Sequence, residues 1–95
     1  MLFLQRYVGE SIDLGGTVLL KVTEIMDGIV WLTVSGGLLD GCAVRRRSQD
    51  WIRVADGWSV FVGEIGTRRV KLGFALPRDV VVKRVELLHE LKEAS

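Results

Sequence analysis

Hydrophobic and polar positions alternate along most of this chain, with breaks at glycine-rich turns. Leu2, Leu4 and Arg6 interleave with Phe3, Gln5 and Tyr7, a short strand that ends at Gly9. Ser11–Leu14 reads as a second extended piece, closed by the turn signal Gly15-Gly16. Thr17 to Ile25 is rich in β-branched and aliphatic residues, with Val18, Leu20 and Val22 on one face. Met26-Asp27-Gly28 carries the Asp-Gly pair favoured in tight hairpins. Ile29 to Val34 alternates again, with Val30, Leu32 and Val34 facing inward and Trp31 and Thr33 outward. The first half thus predicts an antiparallel meander of four strands.

Ser35-Gly36-Gly37 and Leu38–Gly41 form a connection, and Cys42–Arg47 reads as a further short strand with a basic end. The pattern then restarts. Trp51–Val54, the turn Ala55-Asp56-Gly57, the longer strand Trp58–Ile65, the turn Gly66-Thr67 and the alternating Arg69–Phe74 repeat the order already met. A shift of 40 positions places Val22 on Val62, Glu24 on Glu64, Ile25 on Ile65, Val30 on Val70 and Leu32 on Leu72, without gaps. Arg6 falls on Arg46 and Ile12 on Ile52. The reading is an internal duplication within a single domain, residues 1–95. Residues 1–47 form one unit, and residues 42–95 a second unit that keeps a C-terminal helix. Cys42–Arg47 is claimed by both, as last strand of the first or first strand of the second.

Pro77, the single proline, precedes Val80-Val81-Val82. Proline fixes its own φ and lacks an N–H, so it sits before a strand rather than within one. The valines favour an extended backbone, and Lys83 and Arg84 then place charge where the strand leaves the apolar interior. From Val85 to Glu93, Leu87, Leu88 and Leu91 share one helical face, the only helix this pattern predicts.

Composition narrows the function classes. Hydrophobic residues make up 48% of the chain, too many for intrinsic disorder. No apolar run approaches the roughly 20 residues of a membrane span, and Met1–Leu4 is cut off by Gln5 and Arg6, too short for a signal peptide. The expectation is a soluble cytoplasmic protein, and the lone Cys42 fits a reducing compartment. One Cys and one His give no metal-ligand spacing and no nucleophile–base pair, so neither metal nor catalysis nor any cofactor is expected. No glycine-rich phosphate loop leads from strand to helix, because the eleven glycines are expected at hairpins. Net charge is only +1, yet cations cluster at Arg45-Arg46-Arg47, Arg68-Arg69-Lys71, Arg78 and Lys83-Arg84. Such clusters, with Tyr7, Trp31, Trp51 and Trp58 as stacking faces, suit nucleic acid. The plainer reading makes the arginines a solvated rim and the tryptophans core.

The two ends of the chain shift that balance. Met1-Leu2-Phe3-Leu4-Gln5-Arg6-Tyr7-Val8-Gly9-Glu10 resembles the M-L-x-L-x-R-x-x-G-E opening of the carbon storage regulator (CsrA/RsmA) family. Val70-Lys71-Leu72-Gly73-Phe74-Ala75-Leu76-Pro77-Arg78-Asp79-Val80-Val81-Val82-Lys83-Arg84 resembles its V-x-I-G-x-x-A-P-x-x-V-x-V-x-R segment, with the alanine displaced so that Leu76 precedes the proline. The chain is longer than usual for that family by the duplicated stretch. The implied fold is mainly β, antiparallel strands of carbon-storage-regulator type, partly duplicated, with one C-terminal helix.

The resemblance also implies a function. Family members are intertwined homodimers in which the first strand of one subunit and the last strand of the other make an RNA site. Their ligands are mRNA leaders and small regulatory RNAs with GGA motifs, and the usual outcome is repression of translation. Carried onto this sequence, the implied RNA-binding residues are Leu2, Leu4, Arg6, Val82, Lys83 and Arg84, with Leu87 supporting at the start of the helix. Tyr7 stands where the family usually has a second basic residue. A degenerate second site would use Val44, Arg45, Arg46 and Arg47. Either a single-chain pseudo-dimer or a homodimer of long chains satisfies the resemblance. The other reading is a protein-interaction or structural member of the same fold that has lost RNA binding; a protein antagonist is also among the partners the family implies.

Overall fold

Nine strands and one 3₁₀ turn make up the regular structure of residues 1–85, the part of the chain that the computed structural model describes. They are β1 (Leu2–Tyr7), β2 (Ser11–Leu14), β3 (Val18–Met26), β4 (Ile29–Ser35), the turn Gly37–Leu39, β5 (Ala43–Arg47), β6 (Trp51–Ala55), β7 (Trp58–Ile65), β8 (Arg69–Ala75) and β9 (Val82–Arg84). The helix expected after Val85, and Leu87 with it, lies outside the described residues. The mainly β expectation holds: the strands form two antiparallel sheets, β1-β8-β7-β6 and β5-β4-β3-β2-β9.

The four-strand meander does not form as the alternation suggested. Of those four strands β2, β3 and β4 meander, with β5 continuing them, whereas β1 crosses to the other sheet and pairs with β8, Leu4 opposite Leu72 and Arg6 opposite Val70. The short turn between β1 and β2 explains the departure. Gly9 adopts φ 96°, open to glycine without strain, and donates its N–H to Val22 O at 2.7 Å. Val8 donates to Arg68 O, just before β8, at 3.0 Å, so the turn is fastened to both sheets at once. Alternation cannot reveal this, because it sets which face a residue takes and not which strand lies alongside.

The repeat is visible in the registers. On β3–β4, Leu20 faces Val34 and Val22 faces Leu32; on β7–β8, Val60 faces Phe74 and Val62 faces Leu72. A register shift follows Val22 in one half and Val62 in the other. The turns match as well: Tyr7 N–H is accepted by Glu10 Oε1 at 2.7 Å, and Arg47 N–H by Asp50 Oδ2 at 2.8 Å. Gln49, at φ 79°, stands where the first half has Gly9. Val44 lies opposite Leu32 on β4 just as Leu4 lies opposite Leu72 on β8. Cys42–Arg47 therefore supplies, from Ala43 on, the counterpart of β1, and each half lends its first strand to the sheet of the other.

The halves differ at the next strand. β9 pairs with β2, Ile12 opposite Arg84 and Leu14 opposite Val82. The first half has no such strand for β6, because the residues that would supply it are already committed to β5. Instead the Gly37–Leu39 turn lies against β6, with Gly37 so close to the Val54 carbonyl that a side chain there would collide with it.

Between the sheets lies one core of aliphatic side chains. Ile12, Leu14, Leu20, Val22, Val30 and Leu32 from one sheet meet Ile52, Val54, Val60, Val62, Val70 and Leu72 from the other, none more than 1% exposed. Each is worth about 1.5–3 kcal/mol of burial. No tryptophan belongs to that buried set: Trp31 and Trp58 are half-buried and Trp51 is 48% exposed. Trp58 packs against the core from its margin, so of the tryptophans read as core only this one touches it. Two glycines also depart from expectation, since Gly63 and Gly73 lie within β7 and β8 rather than at hairpins. At Gly73 a Cβ would stand 2.6 Å from both Met1 Sδ and Phe3 Cε1, so only glycine leaves room for them.

The last strand also begins later than the valine run suggested. Val80 N–H closes a turn onto Pro77 O at 3.1 Å, and Val80 packs against the core. Val82, Lys83 and Arg84 pair with Leu14, Asp13 and Ile12 of β2, flanked by Gly15 N–H donating to Val81 O at 2.8 Å and Val85 N–H donating to Ser11 O at 3.3 Å. The two cations thus belong to the strand rather than to its exit.

Candidate nucleic-acid interface

Topology brings the two ends of the chain to one flank. β1 is the outermost strand of the four-stranded sheet and β9 the outermost strand of the five-stranded one. The turn at Val8–Glu10 ties β1 to β2, the strand beside β9, so both edges lie along the same side of the molecule. After Arg84, Val85 N–H donates to Ser11 O at 3.3 Å. Ser11 follows Glu10, whose Oε1 lies 3.7 Å from an Arg6 guanidinium nitrogen. The end of β9 and Arg6 therefore share the Glu10–Ser11 corner.

The individual side chains differ in what they offer. Lys83 and Arg84 are exposed and Val82 is half-buried. Leu2 is 51% exposed and Leu4 half-buried. Arg6 is only 5% exposed, which the sequence did not foretell. Its position opposite Val70, a core residue, turns its side chain inward. There Arg6 Nε donates to Gln5 O at 2.8 Å beside the Glu10 carboxylate, so its polar head is hydrogen-bonded rather than stranded. Arg6 braces the corner, and Lys83 and Arg84 are exposed cations on β9 beside it. Tyr7 is 45% exposed and turned to the outer face of its sheet, away from the corner.

The opposite flank carries β5 and β6. Arg45 and Arg47 are exposed, while Val44 and Arg46 are half-buried, and the three arginines line a shallow depression with Ile29 and Asp50. Arg46 repeats Arg6, donating to the carbonyl of the preceding residue, Arg45 O at 2.7 Å, and also to Trp51 O at 3.2 Å. Trp51 O is the counterpart of Ser11 O, which on the first flank receives the chain after β9. A side chain thus stands where the other flank has a strand. The second flank presents one basic strand and, among the described residues, lacks the second.

Other chemistry is thin. Among the described residues no group of three or more His, Cys, Asp or Glu could hold a metal ion, and Cys42 is a free, exposed thiol. No helix of the described residues is long and apolar enough to cross a membrane. Sequence reasoning picked out Tyr7 and the tryptophans as stacking faces but passed over Phe3 and Phe61. Phe3 and Phe61 meet edge to face with centroids 6.5 Å apart, and Trp51 lies 5.0 Å from Phe61. The signal was present as outward positions in an alternating pattern, yet which of them align needs the register. Comparison of the chain with protein families, with curated proteins and with solved structures finds no match.

Proposed function

We propose that the chain is an RNA-binding post-transcriptional regulator that takes GGA-bearing loops of mRNA leaders or small RNAs on the β1/β9 flank and modulates translation in the cytoplasm. The observation that carries this reading is that β1 and β9 are edge strands of the two sheets, linked through the tight turn from β1 to β2, the strand beside β9. These are the two segments that resemble the carbon storage regulators, they lie at opposite ends of the described chain, and each ends up on a sheet edge next to the β1–β2 corner. Unpaired loop bases suit such a flank, because their edges are open to backbone groups and cations. Arg84 and Lys83 supply the charge, and Leu4 and Val82 the apolar floor.

Gel-shift titration of a GGA stem-loop against its scrambled-loop control tests the reading. Arg84→Ala is expected to lose about 1–3 kcal/mol of binding free energy with the fold intact, and binding should weaken with added salt. Equal affinity for the two loops would remove the proposal.

Strand exchange inside the chain carries a second expectation. A single chain holds both edges of one flank but only one basic strand of the other, so we expect one hairpin per chain, measured by light scattering of the complex. Two hairpins on a monomeric chain would contradict this. The burial of Arg6 favours the competing reading, a member of the same fold that binds a protein instead of RNA. Capture of a protein partner after RNase treatment, with no shift of any GGA RNA, would select it.

A further inference from the structure

The outer face of the four-stranded sheet is unlike the outer face of its partner. Across four adjacent strands, Phe3, Gly73, Phe61 and Trp51 stand directly opposite one another in register. Gly73 leaves room for the Phe3 ring to lie over β8, and from there it meets Phe61 edge to face. Trp51 continues the row at 5.0 Å from Phe61. The row remains open to solvent, Phe3 at 45% and Trp51 at 48% exposure. Forty positions away in register, the five-stranded sheet has Ala43, Thr33, Lys21 and Ser11 in the same four places. Identical backbone pairing thus supports a polar row on one face and an aromatic row on the other. The fold alone does not require the aromatics.

Charge indicates what such a row suits. Along β8, Lys71 and then Arg69 follow Gly73 on the same outward side, both exposed. On the other side of the row Arg53 projects from β6, held only by an exposed contact with Asp56 at 2.8 Å, a kind of pair worth little in water. Rings flanked by cations on both sides match a strand of unpaired nucleotides, whose bases stack and whose phosphates need positive charge. A covering protein would gain from the rings but would have to desolvate the cations around them.

We infer that this face is a stacking platform for single-stranded RNA, taking the unpaired nucleotides that flank a hairpin held on the β1/β9 flank. Strand β1 joins the two surfaces, since its edge belongs to the flank and Phe3 to the platform. The inference rests on the RNA-binding reading for the hairpin, while the platform itself can be tested alone.

The test compares a GGA stem-loop with blunt ends, the same stem-loop with short unpaired pyrimidine tails, and the tail oligonucleotide by itself. Wild type should bind the tailed stem-loop roughly tenfold tighter than the blunt one. Trp51→Ser, which installs the residue of the mirror position, should abolish that difference and leave blunt binding and melting temperature unchanged. Phe61→Ala should do the same if it folds. Equal affinity for blunt and tailed stem-loops in wild type overturns the inference, as does a tail effect that survives Trp51→Ser. If no stem-loop binds, the RNA reading of the flank fails. Quenching of tryptophan fluorescence by the tail oligonucleotide, lost in Trp51→Ser, then still upholds the platform, and no quenching sinks it too. A concentration-dependent doubling of mass that Trp51→Ser removes would overturn it by making the row an interface between copies.

Discussion

Leu32→Ala and Leu72→Ala are each expected to cost about 2–5 kcal/mol of folding stability, the range for deleting a fully buried leucine side chain, and each to unfold the whole chain in one transition. Both residues are 1% exposed or less, and they occupy the same place in the two halves. Leu32 lies between Val22 and Val44, and Leu72 between Val62 and Leu4. In each case one neighbour comes from the same half and the other from the strand that the opposite half has lent. A cavity in either half therefore loosens a sheet to which both contribute. A chain of this size holds only about 5–15 kcal/mol in total, and the melting temperature should fall by at least about 8 °C. Two separated transitions, one per half, would show that strand exchange does not couple them.

Gly36→Ala is expected to be the most damaging of the single-methyl substitutions. Gly36 sits at φ 83°, and an added Cβ would run into the backbone carbonyl of Thr17. Its N–H is also fixed, donating to Asp40 Oδ1 at 2.6 Å. The backbone conformation alone costs a non-glycine residue about 1–3 kcal/mol, and the collision adds to that because backbone cannot rotate away. Gly28→Ala is the control. Gly28 has φ 72° in the β3–β4 hairpin, but a Cβ there would meet nothing within 4 Å. Urea denaturation of the two variants should show Gly36→Ala clearly less stable than Gly28→Ala. Equal losses would mean that the connection shifts freely and that the Gly37–Leu39 turn does not depend on its entry angle.

Much of the strand plan was legible because alternation is a local property. Val30, Leu32 and Val34 were read as inward and Trp31 and Thr33 as outward, and burial follows that order. The Asp27-Gly28 hairpin was legible for the same reason, and both residues take the positive φ such a turn needs. The extended character of β1 and of Val82–Arg84 was legible too, whereas their positions as edge strands of two different sheets were not. The inward turn of Arg6 was not legible. Arginine normally marks solvent, and only pairing with Val70 over the Glu10 corner makes an inward guanidinium affordable. Nor was the aromatic row, since Phe3, Phe61 and Trp51 are far apart in sequence and align only through Gly73 and the registers of four strands.

The sequence by itself determined the β class, the inward and outward faces, the turn positions and the repeat at 40 residues, because all of these depend on neighbours a few residues apart or on self-comparison. Tertiary structure decided which strand lies beside which. It sent β1 to β8 and gave Ala43–Arg47 the role of a first strand. It also left β6 with a 3₁₀ turn where β2 has β9. Backbone edges are chemically alike along every strand, so pairing is chosen by how two sheets can bury one common core. By sequence alone, Lys83 and Arg84 are two cations that follow a valine run. Pairing against β2 made them the exposed cations of a flank shared with the first strand of the chain.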